Sequence, residues 1–558
     1  MASASGDDEG TPVERYFHPF HENPWDDDDE HSTPGTWPPK TLAELRIKPL
    51  WWEKFRDEPI RKKWIQEVKE QQVDLKPYER LTDNMVNYVV AELEGYAKLR
   101  DQKTGIECGP YERIFFSDIL VPADVTTALR LAVKPLEDIP DDKKDWHPGS
   151  DGRVLDLVHP SLCPVIFDVT WGTQSNGELG TFENPDADEL NVGYMFVSER
   201  FQWLPSDFEV GESGGVKLKS PYINNIYPEH HDALVPVIER VMECAVPLWE
   251  RVLSALRRDP VPARVRHTLK SEEWNSEDLP CIWFNNDRHP DNSEEEREQE
   301  HDYAAWHERR LIRGPLCLPD APELYEDALK EDMAVSLLGS TIQVIVKLAN
   351  IHVSPGDEYP GGKWHVEGMA TESIVSTFIY YFHSENIEPV DLNFRMATQA
   401  PQPHQQDDSS CMEILYGIRR DNACAQDIGS VKTRADRCIA FPNLYQHQVS
   451  PFKLVDKTKP GVRKILVLFL VDPAVNVISA TNVPPQQLEV VKHILRSQGP
   501  SSRLSLLPIE LLDHIAEHVP GVQSRAEAEA VRVELMQERS VMIESVDKEF
   551  FSREFNMW

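Results

Sequence analysis

Basic residues are scarce in this chain. Among 558 residues, 58 Lys and Arg stand against 95 Asp and Glu, a formal net charge of −37. Affinity for a phosphate backbone comes from clustered Lys and Arg, so the deficit argues against a nucleic-acid partner. It equally disfavours docking on an anionic membrane surface. Long apolar runs are missing too. The longest, 465–471, falls far short of the about 20 residues a spanning helix needs. The first ten residues, MASASGDDEG, have neither a basic start nor an apolar stretch, so they read as neither secretory signal nor mitochondrial presequence. No Asn-x-Ser/Thr acceptor occurs. The eight cysteines are scattered and include no Cys-x-x-Cys pair, which suits neither a zinc ribbon nor a disulfide scaffold. These absences predict a soluble protein of a reducing compartment, cytoplasm or nucleus, with no membrane association.

Bulk is present. Apolar residues make up 40% of the chain, and 14 Trp with 20 Phe supply enough volume for a sizeable core. That excludes a wholly disordered chain. Residues 1–38 are the exception and read as a disordered acidic tail, with a run of Asp at 26–29. Region 39–335 reads as mainly helical with long ordered loops. Trp51, Trp52, Phe55, Ile60 and Trp64 are spaced for one helical face, and 81–99 repeats that pattern. Helices are expected at 230–257 and 294–313, while 145–150 and 158–160 read as ordered loops.

The texture changes over 336–485. Short β-rich runs alternate with Gly, Pro and Asp turns, and eight candidate strands stand out. They are 343–353, 363–367, 374–383, 392–396, 412–418, 437–441, 447–452 and 463–471. Such spacing predicts an all-β sandwich or jelly roll. Region 486–558 turns helical again, and Ser524 with Glu527 forms a capping box that opens a helix through about 542.

Several motifs carry no chemistry. His514, Glu517 and His518 match a zinc-peptidase pattern, but they sit on an amphipathic helix whose exposed face explains them. Residues 356–363 lack phosphate-loop spacing, and no Gly-x-Gly-x-x-Gly fingerprint occurs. The informative constellation is His365-Val366-Glu367, followed at a distance by His447. Side chains two apart on a strand point the same way. Two histidines and one carboxylate form the ligand set of a facial iron site, which leaves three positions open. Sixteen residues after His447 comes Arg463. Alternation puts Arg463 on the face of Ile465, Val467 and Phe469, where a buried charge needs an anion. A 2-oxo acid's carboxylate would meet that need. Lys347 and Asn350 lie on the strand before the motif. Both are candidates for lining the pocket and binding the cofactor, but they face opposite sides, so at most one is expected to do so. A packing role in the core is expected for Trp364.

These residues resemble the iron(II)- and 2-oxoglutarate-dependent oxygenases. The stretch 440–451, with Phe441, Pro442, Asn443 and His447, is similar to the distal-histidine strand of their prolyl-hydroxylase-like branch. More closely, the segments 145–150, 154–160, 347–352, 362–372, 441–451, 460–473 and 482–487 resemble a fungal family catalogued only as a domain of unknown function. The resemblance implies an α+β protein: a double-stranded β-helix (jelly-roll) core with large helical N-terminal and C-terminal additions. It implies His365, Glu367 and His447 as Fe(II) ligands and Arg463 as the 2-oxoglutarate anchor. Glu367 stands where most of that superfamily has Asp. Because related halogenases lack the carboxylate, its presence favours oxygen insertion. The expected function is hydroxylation of an unknown small molecule or peptide. Two other readings stay open at this point: a non-catalytic scaffold on an oxygenase-like core, and a cupin-like dioxygenase that uses no 2-oxoglutarate.

Overall fold

The computed structural model describes residues 39–555 except 76–79, 111–112, 186, 191, 228–230, 259–320, 322–323, 326–332, 399–416 and 500; it also describes 15, 16 and 19. The helix expected at 294–313 and nearly all of the strand expected at 412–418 lie outside the described residues, as does most of the acidic tail. Within that tail Tyr16 is buried. Its backbone N–H donates to Asp472 at 2.9 Å, and Arg257 lies 4.1 Å from its ring centre. One aromatic side chain thus anchors a segment read as wholly solvated.

The N-terminal helices Pro39–Arg46, Trp51–Lys54, Glu58–Gln71 and Asp83–Leu99 follow their apolar periodicity. Trp51, Trp64, Leu93 and Tyr96 meet in a satellite core. Asp57 and Thr82 cap two of these helices by accepting from Ile60 and Met85 backbone N–H groups.

The expectation of a mainly helical region does not hold between 105 and 220. Nine short strands occur there: β1 Glu107–Cys108, β2 Phe115–Ser117, β3 Val154–Val158, β4 Val165–Ile166, β5 Trp171–Thr173, β6 Leu179–Thr181, β7 Phe201–Gln202, β8 Ser206–Val210 and β9 Val216–Leu218. None is long enough to show periodicity. Pairing with longer strands holds β2, β3 and β8 straight, while β1 adds to β2 and β9 to β8. The long strands follow: β10 Thr341–Val353, β11 Ile374–Glu385, β12 Val390–Ala397, β13 Ala425–Thr433, β14 Cys438–Pro442, β15 Gln446–Val449 and β16 Gly461–Val471.

The large sheet runs β1-β2-β14-β11-β16-β10-β8-β9, with β3 also on β10; a smaller sheet runs β13-β12-β15. The pairings within both sheets are antiparallel. Alternation along β10 and β16 sorts two cores. Val344, Val346, Leu348, Leu466 and Leu468 face the apolar helix Leu234–Leu256. Ile345, Val467 and Phe469 face Leu392, Phe394, Ile428 and Val431 of the small sheet. Each fully buried side chain of this size contributes about 1.5–3 kcal/mol relative to exposure. The helix Arg525–Val546 opens at the Ser524–Glu527 capping box and adds Leu535 to the second core. The architecture is mixed helix and antiparallel sheet. No helix among the described residues is long and apolar enough to cross a membrane.

Two strand expectations need correction. Residues 363–367 form no strand, only the isolated bridge His365–His447. Gly361 (φ +91°) and Gly368 (φ +68°) bracket the segment in the left-handed region and break the extended run. A Cβ on Gly361 would stand 2.9 Å from the Val449 carbonyl, so the backbone there passes tightly against β15. Conversely β13 escapes the pattern. Its sequence AQDIGSVKT is interrupted by Gly429 (φ +103°), and its pairing with β12 shifts register at Phe394/Arg395.

Candidate metal centre

His365, Glu367 and His447 converge, with ligand atoms all within 4.8 Å of one another. Tertiary structure brings them together. β15 pairs with β12 and places His447 opposite Phe394. The bridge to β15 then draws His365 beside it, with mutual backbone hydrogen bonds at 3.0 and 3.2 Å. Glu367 is fixed by Asn443, whose side-chain oxygen accepts from the Glu367 N–H while its amide donates to the Glu367 carbonyl, both at 2.8 Å. Asn443 lies in the stretch that carries the resemblance, yet sequence reasoning gave it no role. Nothing in one sequence reveals a side chain that clamps a distant backbone.

Glu367 Oε1 stands 3.5 Å from His365 Nε2 and 3.4 Å from His447 Nε2. Donors about 2.1 Å from one ion and at right angles stand about 3 Å apart, so the set fits a small divalent metal with little adjustment. His365 Nδ1 lies 2.8 Å from the Lys363 carbonyl. That contact places a proton on Nδ1 and turns Nε2 toward Glu367. The His447 ring packs against Phe441 at 4.9 Å, and its buried Nδ1 has no hydrogen-bond partner.

Electrostatics prepare the donors. Burial alone would raise the Glu367 carboxyl, but hydrogen bonds with His365 and His447 outweigh it and hold the group well below its ordinary value. Burial, reinforced by the charge of His365, pushes His447 down to about 4, so it is neutral at physiological pH. Burial opposes charge on His365 as well, but Glu367 wins and the pKa rises.

Arg463 is 1% exposed and faces the interior opposite Ile351. Its guanidinium lies 4.8 Å from the Phe452 ring and 5.6 Å from Tyr381, and its Nε and Nη1 have no hydrogen-bond partner. Burial lowers its pKa, against the opposing influence of Tyr381 and Tyr359. Asp456, the surface acid that could have claimed it, instead binds Thr458 and Lys459. Lys347 shares the inner face, opposite Val467. Asn350 does not. It points to the other face and donates to Glu137, which also binds Lys464. The expected role of Asn350 in cofactor binding is thereby excluded by strand alternation. Trp364 is half-buried beneath Arg395, 4.8 Å from its ring. His514 is exposed on the helix Ile509–Ala516, and His518 is exposed in the turn that follows it.

A second group of the same composition went unremarked in the sequence: His147, Asp156 and His159. Asp156 sits on β3 opposite Ala349, on the inner side of β10. Here the members bond to their surroundings. His147 Nδ1 lies 2.8 Å from Asp156 Oδ2, the Ser161 N–H donates to His159 Nδ1 at 3.2 Å, and Arg532 stands 3.7 Å from Asp156.

Comparison with known proteins adds a family. No curated protein matches the sequence. Among solved structures the chain is similar to a selenomethionine-labelled Fe(II)/(alpha)ketoglutarate-dependent dioxygenase, TqaL. The identity is 11%, the TM-score 0.27, and the match covers 70% of this chain and 90% of that one. A bsmA homologue from Methylobium petroleophilum PM1 is similar at 9% identity, with a TM-score of 0.23 and coverage of 64% and 87%. IDO from Bacillus thuringiensis is similar at 9% identity, with a TM-score of 0.14 and coverage of 24% and 46%. The model of a family described as protein of unknown function (DUF4246) matches residues 83–494, and the chain belongs to that family.

Proposed function

We propose that the protein is an iron(II)- and 2-oxoglutarate-dependent oxygenase that hydroxylates its substrate. One observation carries the reading: three convergent metal donors share a protein interior with a buried arginine that, among the described residues, has no anionic partner. We read the core as a double-stranded β-helix. In support, β10, β11, β14 and β16 form one sheet, while β12, β13, β15 and the His365 bridge form the other. The chain thus passes repeatedly between two opposed sheets, as a jelly roll requires.

In this reading His365 Nε2, Glu367 Oε1 and His447 Nε2 hold the iron. When bound, the iron supplies redox chemistry that couples decarboxylation of 2-oxoglutarate to insertion of oxygen into a C–H bond. The rest falls to the chain. Arg463 donates to the far carboxylate of 2-oxoglutarate in a charge-assisted pair, answering its own desolvation. Phe452, Tyr381 and Tyr359 wall that end and exclude water, which strengthens the pair. The carbonyl of Lys363 keeps the His365 proton on Nδ1, and Asn443 keeps Glu367 on target.

The test is anaerobic titration with iron(II) and 2-oxoglutarate, followed by oxygen and a succinate assay. Wild type should develop a visible charge-transfer band and release succinate. His365→Ala should lose both. Arg463→Ala should weaken 2-oxoglutarate binding by about 10–100-fold. Metal binding without 2-oxoglutarate binding points to the cupin-like alternative, and no metal binding at all points to a scaffold.

A further inference from the structure

Lys347 is the one lysine in a thirteen-residue strand, β10, that is otherwise mostly buried and apolar. Its neighbours on the same face, Ile345 and Ala349, are 1% and 2% exposed. Lys347 itself is half-buried. Among the described residues, no carboxylate stands within ion-pair distance of it.

Its surroundings make that notable. Its charge acts on His365 and His447 on one side and on Asp156 and His159 on the other. Strand register sets it diagonal to Asp156, which pairs with Ala349, the next residue on the same face. Asp156 is the obvious partner but is already committed. Its Oδ2 meets His147 and Arg532, and its buried Oδ1 has no partner, so Lys347 does not donate to it. Arg532 is itself held by both oxygens of Asp145 at 2.7 and 2.8 Å. Among the described residues, then, no carboxylate satisfies either Arg463 or Lys347, which share the inner face. One 2-oxoglutarate, with its near end at the metal, answers only Arg463. A partly desolvated ammonium among apolar side chains is stable only if an anion meets it.

Resting on the oxygenase reading above, we infer that the substrate is a small anionic molecule whose carboxylate or phosphate pairs with Lys347. His147 is bonded to Asp156, the carboxylate that register sets diagonal to Lys347. Its Nδ1 is engaged by Asp156, which leaves Nε2 as a hydrogen-bond acceptor for a hydroxyl or amino group on the same molecule. An ammonium is a point charge that accepts either anion. The long-range field of a strongly acidic protein repels both, so selection falls to the pocket.

The experiment uses the full chain loaded with iron(II) and 2-oxoglutarate without oxygen. The probes are free amino acids, simple hydroxy acids, phosphate monoesters and the neutral amide of each acid. Perturbation of the charge-transfer band and stimulation of succinate release on adding oxygen are read for each. Acids or phosphate monoesters should respond and amides should not; which of the two responds identifies the anion. Lys347→Met should weaken the responding probe by about 30-fold or more, and Lys347→Arg should retain most of the response. The dissociation constant of 2-oxoglutarate should stay within about twofold in both variants, a smaller change than loss of a charge pair produces. Amides acting as well as acids, no response from any anion, or loss of 2-oxoglutarate binding in Lys347→Met overturns the inference. If Lys347→Met does not fold, Lys347→Gln takes its place. Failure of the wild type to form the band at all sinks the oxygenase reading, and this inference with it.

Discussion

The molecule holds two groups of two histidines and one carboxylate, and they are built for different work. In His365/Glu367/His447 the nitrogens stand 3.4 and 3.5 Å from a shared oxygen, beyond the best hydrogen-bond distance. No Arg lies in ion-pair contact with Glu367 among the described residues. In His147/Asp156/His159 the closest pair is a 2.8 Å hydrogen bond, a backbone N–H occupies His159 Nδ1, and Arg532 offsets the carboxylate. A cation beside a carboxylate competes with any metal for the same charge. Identical residue types therefore do not define a metal site; the state of their remaining valences does.

Breaking each group separately tests that difference. The largest effect is on metal. Glu367→Ala should reduce affinity for iron(II) or manganese(II) by well over 100-fold, more than loss of an outer-shell partner does. Asp156→Ala should leave one metal per chain. Two equivalents in wild type, falling to one in Asp156→Ala, would erase the distinction. The next effect is on the metal-free fold. Asp156→Ala leaves Arg532 on Asp145 but removes the buried partner of His147, and should cost about 1–3 kcal/mol in denaturant unfolding. Glu367→Ala should cost less, because its contacts with the two histidines are longer, at 3.4 and 3.5 Å. Equal losses would contradict this account.

A smaller effect concerns acid. Burial, opposed by Asp156, holds His159 down to about 3 from an ordinary value of 6.5. Between those values the unfolded chain binds a proton that the folded chain refuses. Stability is therefore fully present above pH 6.5 and is lost as pH falls toward 3, by about 1.4 kcal/mol per unit for this group. His159→Gln should flatten that part of the acid limb. An unchanged slope would mean that His159 titrates normally.

How much was legible depended on locality. Glu367 follows His365 by two residues, and such spacing is visible in any reading. Arg463 was legible because alternation along an apolar strand is a local rule. The same rule left Lys347 and Asn350 as alternatives, and only their partners decided between them: Val467 on the inner face, Glu137 on the outer. The second group stayed hidden because 145–160 carries no long periodic run. Its strand β3 exists through pairing with β10. Asn443 was likewise invisible in its role, since its bonds reach back 76 residues.

The sequence by itself determined which residues bear chemistry and which strand faces are apolar. Composition, spacing and the alternation of side chains are properties of the chain alone. Only the tertiary structure decided which donors meet, which charges find partners, and that 363–367 bends rather than extends. Those outcomes depend on contacts between segments far apart in sequence. There, close packing and the cost of an unpaired buried charge act on whichever groups the fold brings together.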